Sequence, residues 1–242
     1  LKFQKIKKEK EKFKELRRSK YLQKYNLNKQ VFALPLEIMI EVEPRCNFDC
    51  VFCFNKKTFA REGRDFSGLP GAFVYKIIDH IVELGIKKIR FTGGEPLLRN
   101  DIFEILDYAK KQGLFVTLNT NGSLLTREVV QRLDAKVDNV LVSLESVNAG
   151  EEEKITRHKS AFEKKISGLR NLIKLKNIKI GIGTVATSTA INDFSKMNNL
   201  VNELKVNYWS WFRYIGEEVI NENKFKQLVK NIAGSYSDSG EK

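Results

Sequence analysis

Cys46, Cys50 and Cys53 are the chain's only cysteines, and they fall within eight residues in the spacing C-x3-C-x2-C. An odd, tightly clustered set is a poor disulfide framework. Soft thiolates this close together can converge on one metal centre. Metal ligation in a reducing compartment fits the pattern and predicts a cytoplasmic protein. Three thiolates on a [4Fe–4S] cluster leave one iron open, and an open position is what a site needs to bind a reactant at the metal. Two rival readings are a structural zinc site and three unrelated buried thiols. Structural zinc wants four protein ligands in a closed shell. The only histidines, His80 and His158, lie far off in the sequence. His80 falls in a helical run, where it reads as a surface or packing residue.

Further groups capable of chemistry recur at intervals. In Phe91-Thr92-Gly93-Gly94-Glu95-Pro96 the paired glycines let backbone approach a ligand closely, and the Glu95 carboxylate suits a cationic ammonium. The bland reading is a strand-to-helix turn with Glu95 at a helix N-terminus. Leu118-Asn119-Thr120-Asn121-Gly122 reads as a turn, since Asn-Gly favours positive φ. Val140-Leu141-Val142-Ser143-Leu144-Glu145-Ser146 ends in polar residues. Arg157, with a planar fork suited to a carboxylate, is also readable as a surface residue. In Trp209-Ser210-Trp211-Phe212-Arg213-Tyr214-Ile215-Gly216, period two puts Trp209, Trp211, Arg213 and Ile215 on one face. Arg213 in a barrel mouth would be a substrate contact; the other reading is packed core with a snorkelling Arg.

These groups sit at the ends of strand-like segments. Strands are predicted over residues 36–42, 87–92, 115–119, 140–144, 178–187 and 208–215, the first with Leu36, Ile38, Ile40 and Val42 on one face. Helical spacing covers residues 73–84, 102–111, 128–133, 161–175 and 193–204. Gly85, Gly113 and Asn121-Gly122 stand where elements should end. Strands separated by helices imply parallel strands with right-handed crossovers. The predicted fold is therefore α/β, a partial (β/α)6 TIM-like barrel whose functional loops follow the strand C-termini.

The 242 residues suit one such core, and 42% of them are hydrophobic, an ordinary globular share. No apolar run is long enough for a membrane span, and no secretory h-region follows the basic N-terminus. The chain begins at Leu1 rather than Met, which suggests a start inside a longer gene product. Residues 1–30 hold 12 of the 43 Lys and Arg and 3 of the 30 Asp and Glu, a net +9 of the total +13. The basicity thus belongs to an N-terminal arm, with a weak apolar stripe of Phe3, Ile6, Phe13 and Leu16, and argues against nucleic-acid binding by the body. The expected organisation is a basic helical arm over 1–30, the core over 31–216, and a C-terminal helix and tail over 217–242 that frays from Ser235.

Taken together, the cysteine motif after the first strand, Gly93-Gly94-Glu95-Pro96 after the second, Thr120-Asn121-Gly122 after the third and Ser143-Leu144-Glu145-Ser146 after the fourth resemble the radical S-adenosylmethionine (SAM) superfamily. The resemblance implies a [4Fe–4S] cluster on Cys46, Cys50 and Cys53, whose open iron chelates the amino and carboxylate groups of SAM. It places Phe52 by the adenine and Gly93, Gly94, Glu95 and Pro96 at the methionine amino group. Ser143 would reach the ribose or carboxylate. Arg157, before the helix start Ser160-Ala161-Phe162-Glu163, would pair with the SAM carboxylate. Glu145 and Ser146 depart from the Asp and Gly that many relatives carry. The implied chemistry is reductive cleavage of SAM to methionine and a 5′-deoxyadenosyl radical, which removes a hydrogen atom from the substrate. It requires a low-potential electron donor, a flavodoxin or ferredoxin.

The motif spelling and the Trp-rich sixth strand resemble SPASM-type peptide- and protein-modifying members, which implies a peptide or protein substrate. Those members carry a cysteine-rich C-terminal extension, and no cysteine follows Cys53 here. Cys50-Val51-Phe52-Cys53-Phe54 and Ile215-Gly216-Glu217 also resemble viperin-like nucleotide-modifying enzymes. A metal-binding module without turnover, an iron–sulfur carrier or zinc scaffold, is the reading from another class.

Overall fold

The computed structural model describes residues 35–53, 68–213 and 222–238. The expected basic arm over 1–30 lies outside the described residues, as do Tyr214, Ile215 and Gly216. Six strands form one parallel sheet in chain order. They are β1 (Ile38–Glu43), β2 (Lys88–Gly93), β3 (Phe115–Thr120), β4 (Asn139–Ser143), β5 (Lys179–Ala186) and β6 (Tyr208–Arg213). The crossovers carry α1 (Gly71–Glu83), α2 (Ile102–Lys111), α3 (Arg127–Leu133), α4 (Ala149–Thr156), α5 (Ala161–Leu172), α6 (Ser188–Asn192) and α7 (Phe194–Leu204), and α8 (Glu222–Asp238) follows. Strand order equal to chain order puts every crossover on the same side, which is how a barrel winds. β1 and β6 do not meet, so the barrel is partial, as the strand count predicted.

Alternation along the strands decides the two faces. Ile40, Val42, Ile89, Phe91, Val116, Leu118, Val140, Val142, Ile180 and Ile182 join Val74, Ile78, Ile105, Leu106 and Leu169 of the helices in one core. The other face carries polar pairs beside the apolar Leu141 and Phe212. There Arg90 donates to Glu37 (2.9 Å) and Asn119 (3.1 Å), and Asn139 donates to Tyr208 (2.7 Å). Apolar packing therefore fixes the helix layer and leaves the concave face open to polar groups.

The predicted elements appear with small shifts at their ends. Leu36 falls outside β1 and is exposed. α8 continues to Asp238, past the expected fraying at Ser235, and packs Leu228 against Ala186, Ile191 and Phe194. The sixth strand resolves its ambiguity. Trp209 and Trp211 stack on Phe194 of α7, with centroids 5.3 and 5.9 Å apart, so their face turns to the helices. Arg213 shares that face by period two, and Ser210 and Phe212 take the concave side. Among the described residues no helix is long and apolar enough to cross a membrane.

Candidate active site

The cysteine loop leaves β1 under tight control. Arg45 clamps the buried Glu43 carboxylate through Nε and Nη2, both at 2.8 Å, and through its backbone N–H at 3.0 Å. The Arg45 side chain holds the Glu43 carboxyl below its ordinary range, against the upward push of burial. Arg99 Nη1 donates to the Val42 carbonyl (2.8 Å) and fixes the strand end from behind. Beyond this turn lie Cys46, Cys50 and Cys53, all unpaired thiols, with Phe52 half-buried beside Cys53. Phe48 N–H donates to Cys46 Sγ (3.4 Å), and Cys53 N–H to the Cys50 carbonyl (3.1 Å). Burial pushes the Cys50 thiol up to about 12, although the Lys165 ammonium pulls it down. Cys46 is raised too, chiefly by burial.

Gly93 and Gly94 lie against that loop. Gly94 N–H donates to the Glu43 carbonyl (2.6 Å) and Glu95 N–H to the Arg45 carbonyl (2.8 Å). A Cβ on Gly94 would collide with the Arg45 carbonyl oxygen and stand 2.7 Å from that of Pro44, and Gly93 has φ +139°. The pair thus permits close approach of two backbones, a partner the sequence did not suggest. The Glu95 carboxylate is fully buried and accepts from Thr120 Oγ1 (2.8 Å), Asn121 N–H (2.7 Å) and Leu97 N–H (3.1 Å). Burial lifts it to about 7, with those hydrogen bonds opposing. Pro96, also buried, opens the short 3-10 turn Pro96–Leu98.

Asn121, read in the sequence only as turn chemistry, lies between two of these loops. Its Nδ2 donates to Asn47 Oδ1 (2.8 Å) and reaches Cys46 Sγ (3.8 Å). Ser123 closes the link, taking Asn47 Nδ2 on its hydroxyl (2.9 Å) and donating to Asn121 Oδ1 (2.7 Å).

The third support is α4, which the sequence did not announce because its Ala-Gly-Glu-Glu-Glu run has no apolar period. Asn148 caps it by accepting from Glu151 N–H (3.1 Å). Its C-terminal carbonyls, orphaned in an isolated helix, are taken by the cysteine loop: Asp49 N–H bonds Thr156 O (3.0 Å) and Val51 N–H bonds Ile155 O (2.9 Å). Cys50 is thus bracketed by two backbone bonds. Arg157, left-handed at φ 53°, donates to Asp49 Oδ2 (3.2 Å). His158, distant in sequence, packs on Phe48 with ring centroids 4.7 Å apart. His80 is exposed beside Glu83, away from this loop.

Ser143 is half-buried at the end of β4, paired with Gly183. Glu145 is buried and accepts from Val185 N–H (2.6 Å); burial lifts its carboxyl to about 8 despite the Lys165 charge. Glu152 on α4 takes the N–H groups of Glu145 (3.0 Å) and Ser146 (2.7 Å) and pairs with Lys165 of α5 (2.5 Å). Nothing in the sequence marks out Glu152 and Lys165, each of which looks like a surface charge. Among the described residues no three His, Cys, Asp or Glu side chains are grouped to hold a single metal ion.

Comparison with known proteins bears on this arrangement. The chain is 30% identical over 146 residues to a PqqA peptide cyclase of Bradyrhizobium diazoefficiens, covering 60% of this chain and 38% of that one. It is 36% identical over 152 residues to a GTP 3′,8-cyclase of Aliarcobacter butzleri, covering 61% and 46%. It spans less than half the length of either relative. Among solved structures, Streptococcus suis SuiB bound to S-adenosylmethionine superimposes with a TM-score of 0.74 at 18% identity, over 90% of this chain and 48% of that one. SuiB bound to its precursor peptide SuiA gives 0.75, over 90% and 49%. Residues 40–192 match the radical SAM superfamily, a stretch that takes in every loop described above, and the chain therefore belongs to that superfamily.

Proposed function

We propose that the protein binds a [4Fe–4S] cluster through Cys46, Cys50 and Cys53 and uses it to cleave SAM reductively. The observation that carries this is the cysteine loop, anchored on β2, β3 and α4 while its three thiols stay free of disulfides. The donor set fits the group. A cube takes each thiolate on a different iron, so it does not need the side chains crowded as around one tetrahedral ion. The N–H groups directed at Cys46 Sγ suit a thiolate ligand, whose charge they stabilise. A cluster held there would supply the single electron that reductive cleavage of SAM requires, and with it the means of hydrogen-atom abstraction from a substrate.

The chain's own residues do the positioning. Gly93, Gly94 and Pro96 hold the loop after β2 against the cysteines, offering its backbone to the SAM amino group. Glu95 stiffens that loop from within, its carboxylate being engaged by three protein donors. Phe52 flanks the adenine, Ser143 supplies a hydroxyl at the strand end, and Arg157 turns from Asp49 to the SAM carboxylate. A low-potential flavodoxin or ferredoxin delivers the electron. A reducing compartment, the cytoplasm, suits three free thiols.

A peptide or protein is the proposed substrate, supported by the PqqA peptide cyclase among the relatives. A nucleotide substrate is the second reading, supported by the GTP 3′,8-cyclase. The test is incubation of the reduced, reconstituted protein with SAM. Release of 5′-deoxyadenosine is expected, stimulated by peptide under the first reading and by GTP under the second. No release with cluster and SAM both bound would leave a metal-binding module without turnover.

A further inference from the structure

Lys165 and Glu152 form an ion pair that water does not reach: Nζ lies 2.5 Å from Oε1, and the side chains are 1% and 0% exposed. Such a pair is a weak device for stability, because the desolvation of both charges offsets their attraction. An apolar contact of equal volume would join α4 to α5 as well. The location of the ammonium gives it a different use. Nζ stands 5.4 Å from the centroid of the Phe48 ring, and Phe48 lies in the loop between Cys46 and Cys50. Lys165 thus abuts the inner side of the cysteine loop, where its field reaches Cys50, Glu95 and Glu145. Glu152 cannot swing away, because its second oxygen is held by the N–H groups of Glu145 and Ser146.

We propose that Lys165, fixed by Glu152, raises the reduction potential of the cluster that the cysteine loop holds. The inference rests on the cluster reading above. Reduction adds one electron and one negative charge to the cluster, with no bond made or broken. A cation fixed nearby in a dry, weakly screening interior favours that state. Lys165 touches neither SAM nor substrate in this role; it is a redox-tuning residue.

The test is a redox titration of the reconstituted holoprotein with a low-potential chemical reductant, following the paramagnetic signal of the reduced cluster. Iron and sulfide are measured alongside. Lys165→Met should lower the ratio of reduced to oxidised cluster at fixed potential at least tenfold, which for one electron is about 59 mV. Lys165→Arg should titrate with the wild type. The double variant Lys165→Met/Glu152→Gln should shift in the same direction by less, since the opposing charge is gone too. If Lys165→Met fails to assemble a cluster, the double variant, which leaves no orphaned carboxylate, decides. Coincident titrations of the wild type and the neutral variants, at equal iron content, overturn the inference and leave the cluster reading intact. A wild-type protein that takes up no cluster overturns both.

Discussion

The Glu95 carboxylate accepts the backbone N–H of Asn121 at 2.7 Å, so the loop after β2 carries the loop after β3. Asn121 in turn holds Asn47 and lies 3.8 Å from Cys46 Sγ. A fully buried acid thereby governs the far side of the cysteine loop without facing solvent.

Replacing Glu95 by Ala strips the acceptor from Thr120 Oγ1, Asn121 N–H and Leu97 N–H. A buried donor left unsatisfied costs about 1–3 kcal/mol, and relief from burying the carboxylate returns part of that. We expect Glu95→Ala to lose about 2 kcal/mol in denaturant unfolding, to keep its cluster, and to bind SAM more weakly in a titration. Unchanged SAM affinity would refute the role given to this loop.

Asn121→Ala removes the side-chain link from β3 to the cysteine loop and one donor at Cys46. The cluster should then lose iron to a chelator about fivefold faster, the factor that roughly 1 kcal/mol carries. A loss rate equal to the wild type would mean that the backbone bonds from Gly94 and α4 suffice.

Arg157, proposed above as the partner of the SAM carboxylate, allows ligand binding to be tested apart from stability. Its bond to Asp49 is exposed, with the side chains 59% and 43% accessible, and exposed pairs contribute about 0–1 kcal/mol. Arg157→Ala should therefore leave stability within about 0.5 kcal/mol while weakening SAM binding about tenfold, the value of a lost charge-assisted hydrogen bond. The contrary result is a stability loss with SAM affinity intact.

Two buried acids set a pH dependence. Glu145 is lifted by burial to about 8 and Glu95 to about 7, from an ordinary 4.5. A carboxyl whose folded value is raised contributes stability that is full below about 4.5 and is lost as pH rises through its folded value. The metal-free protein should therefore melt at progressively lower temperature from pH 4.5 to about 8. Glu145→Gln should flatten the upper part of that fall. Glu43, held low by Arg45, acts in the opposite sense below this window. Parallel melting profiles for the two proteins would contradict the assignment.

The strand ends were legible because each pairs an alternating apolar run with a motif: Ile38 to Val42 before the cysteines, Ile89 to Phe91 before Gly93, Val116 to Leu118 before Asn121. The partial barrel followed from their number and order. What escaped was contact between loops. Gly93 and Gly94 point toward a ligand in sequence, but the Glu43–Arg45 backbone that crowds them is about fifty residues away. α4 was missed because its buried side chains are Glu152 and Thr156, which leave no apolar stripe. Glu152 and Lys165 are hidden for the same reason: each looks solvated until the other is seen. The face of Trp209, Trp211 and Arg213 stays undecided between barrel mouth and packed core until α7 supplies Phe194.

The central claim is tested most directly by iron, sulfide and electron paramagnetic resonance measurements on anaerobically reconstituted protein, with and without SAM. The prediction is about four irons per chain and a reduced-state signal that SAM changes, with iron lost in each of Cys46→Ala, Cys50→Ala and Cys53→Ala. One tightly held zinc per chain, full metal content in the three variants, and no response to SAM would contradict it.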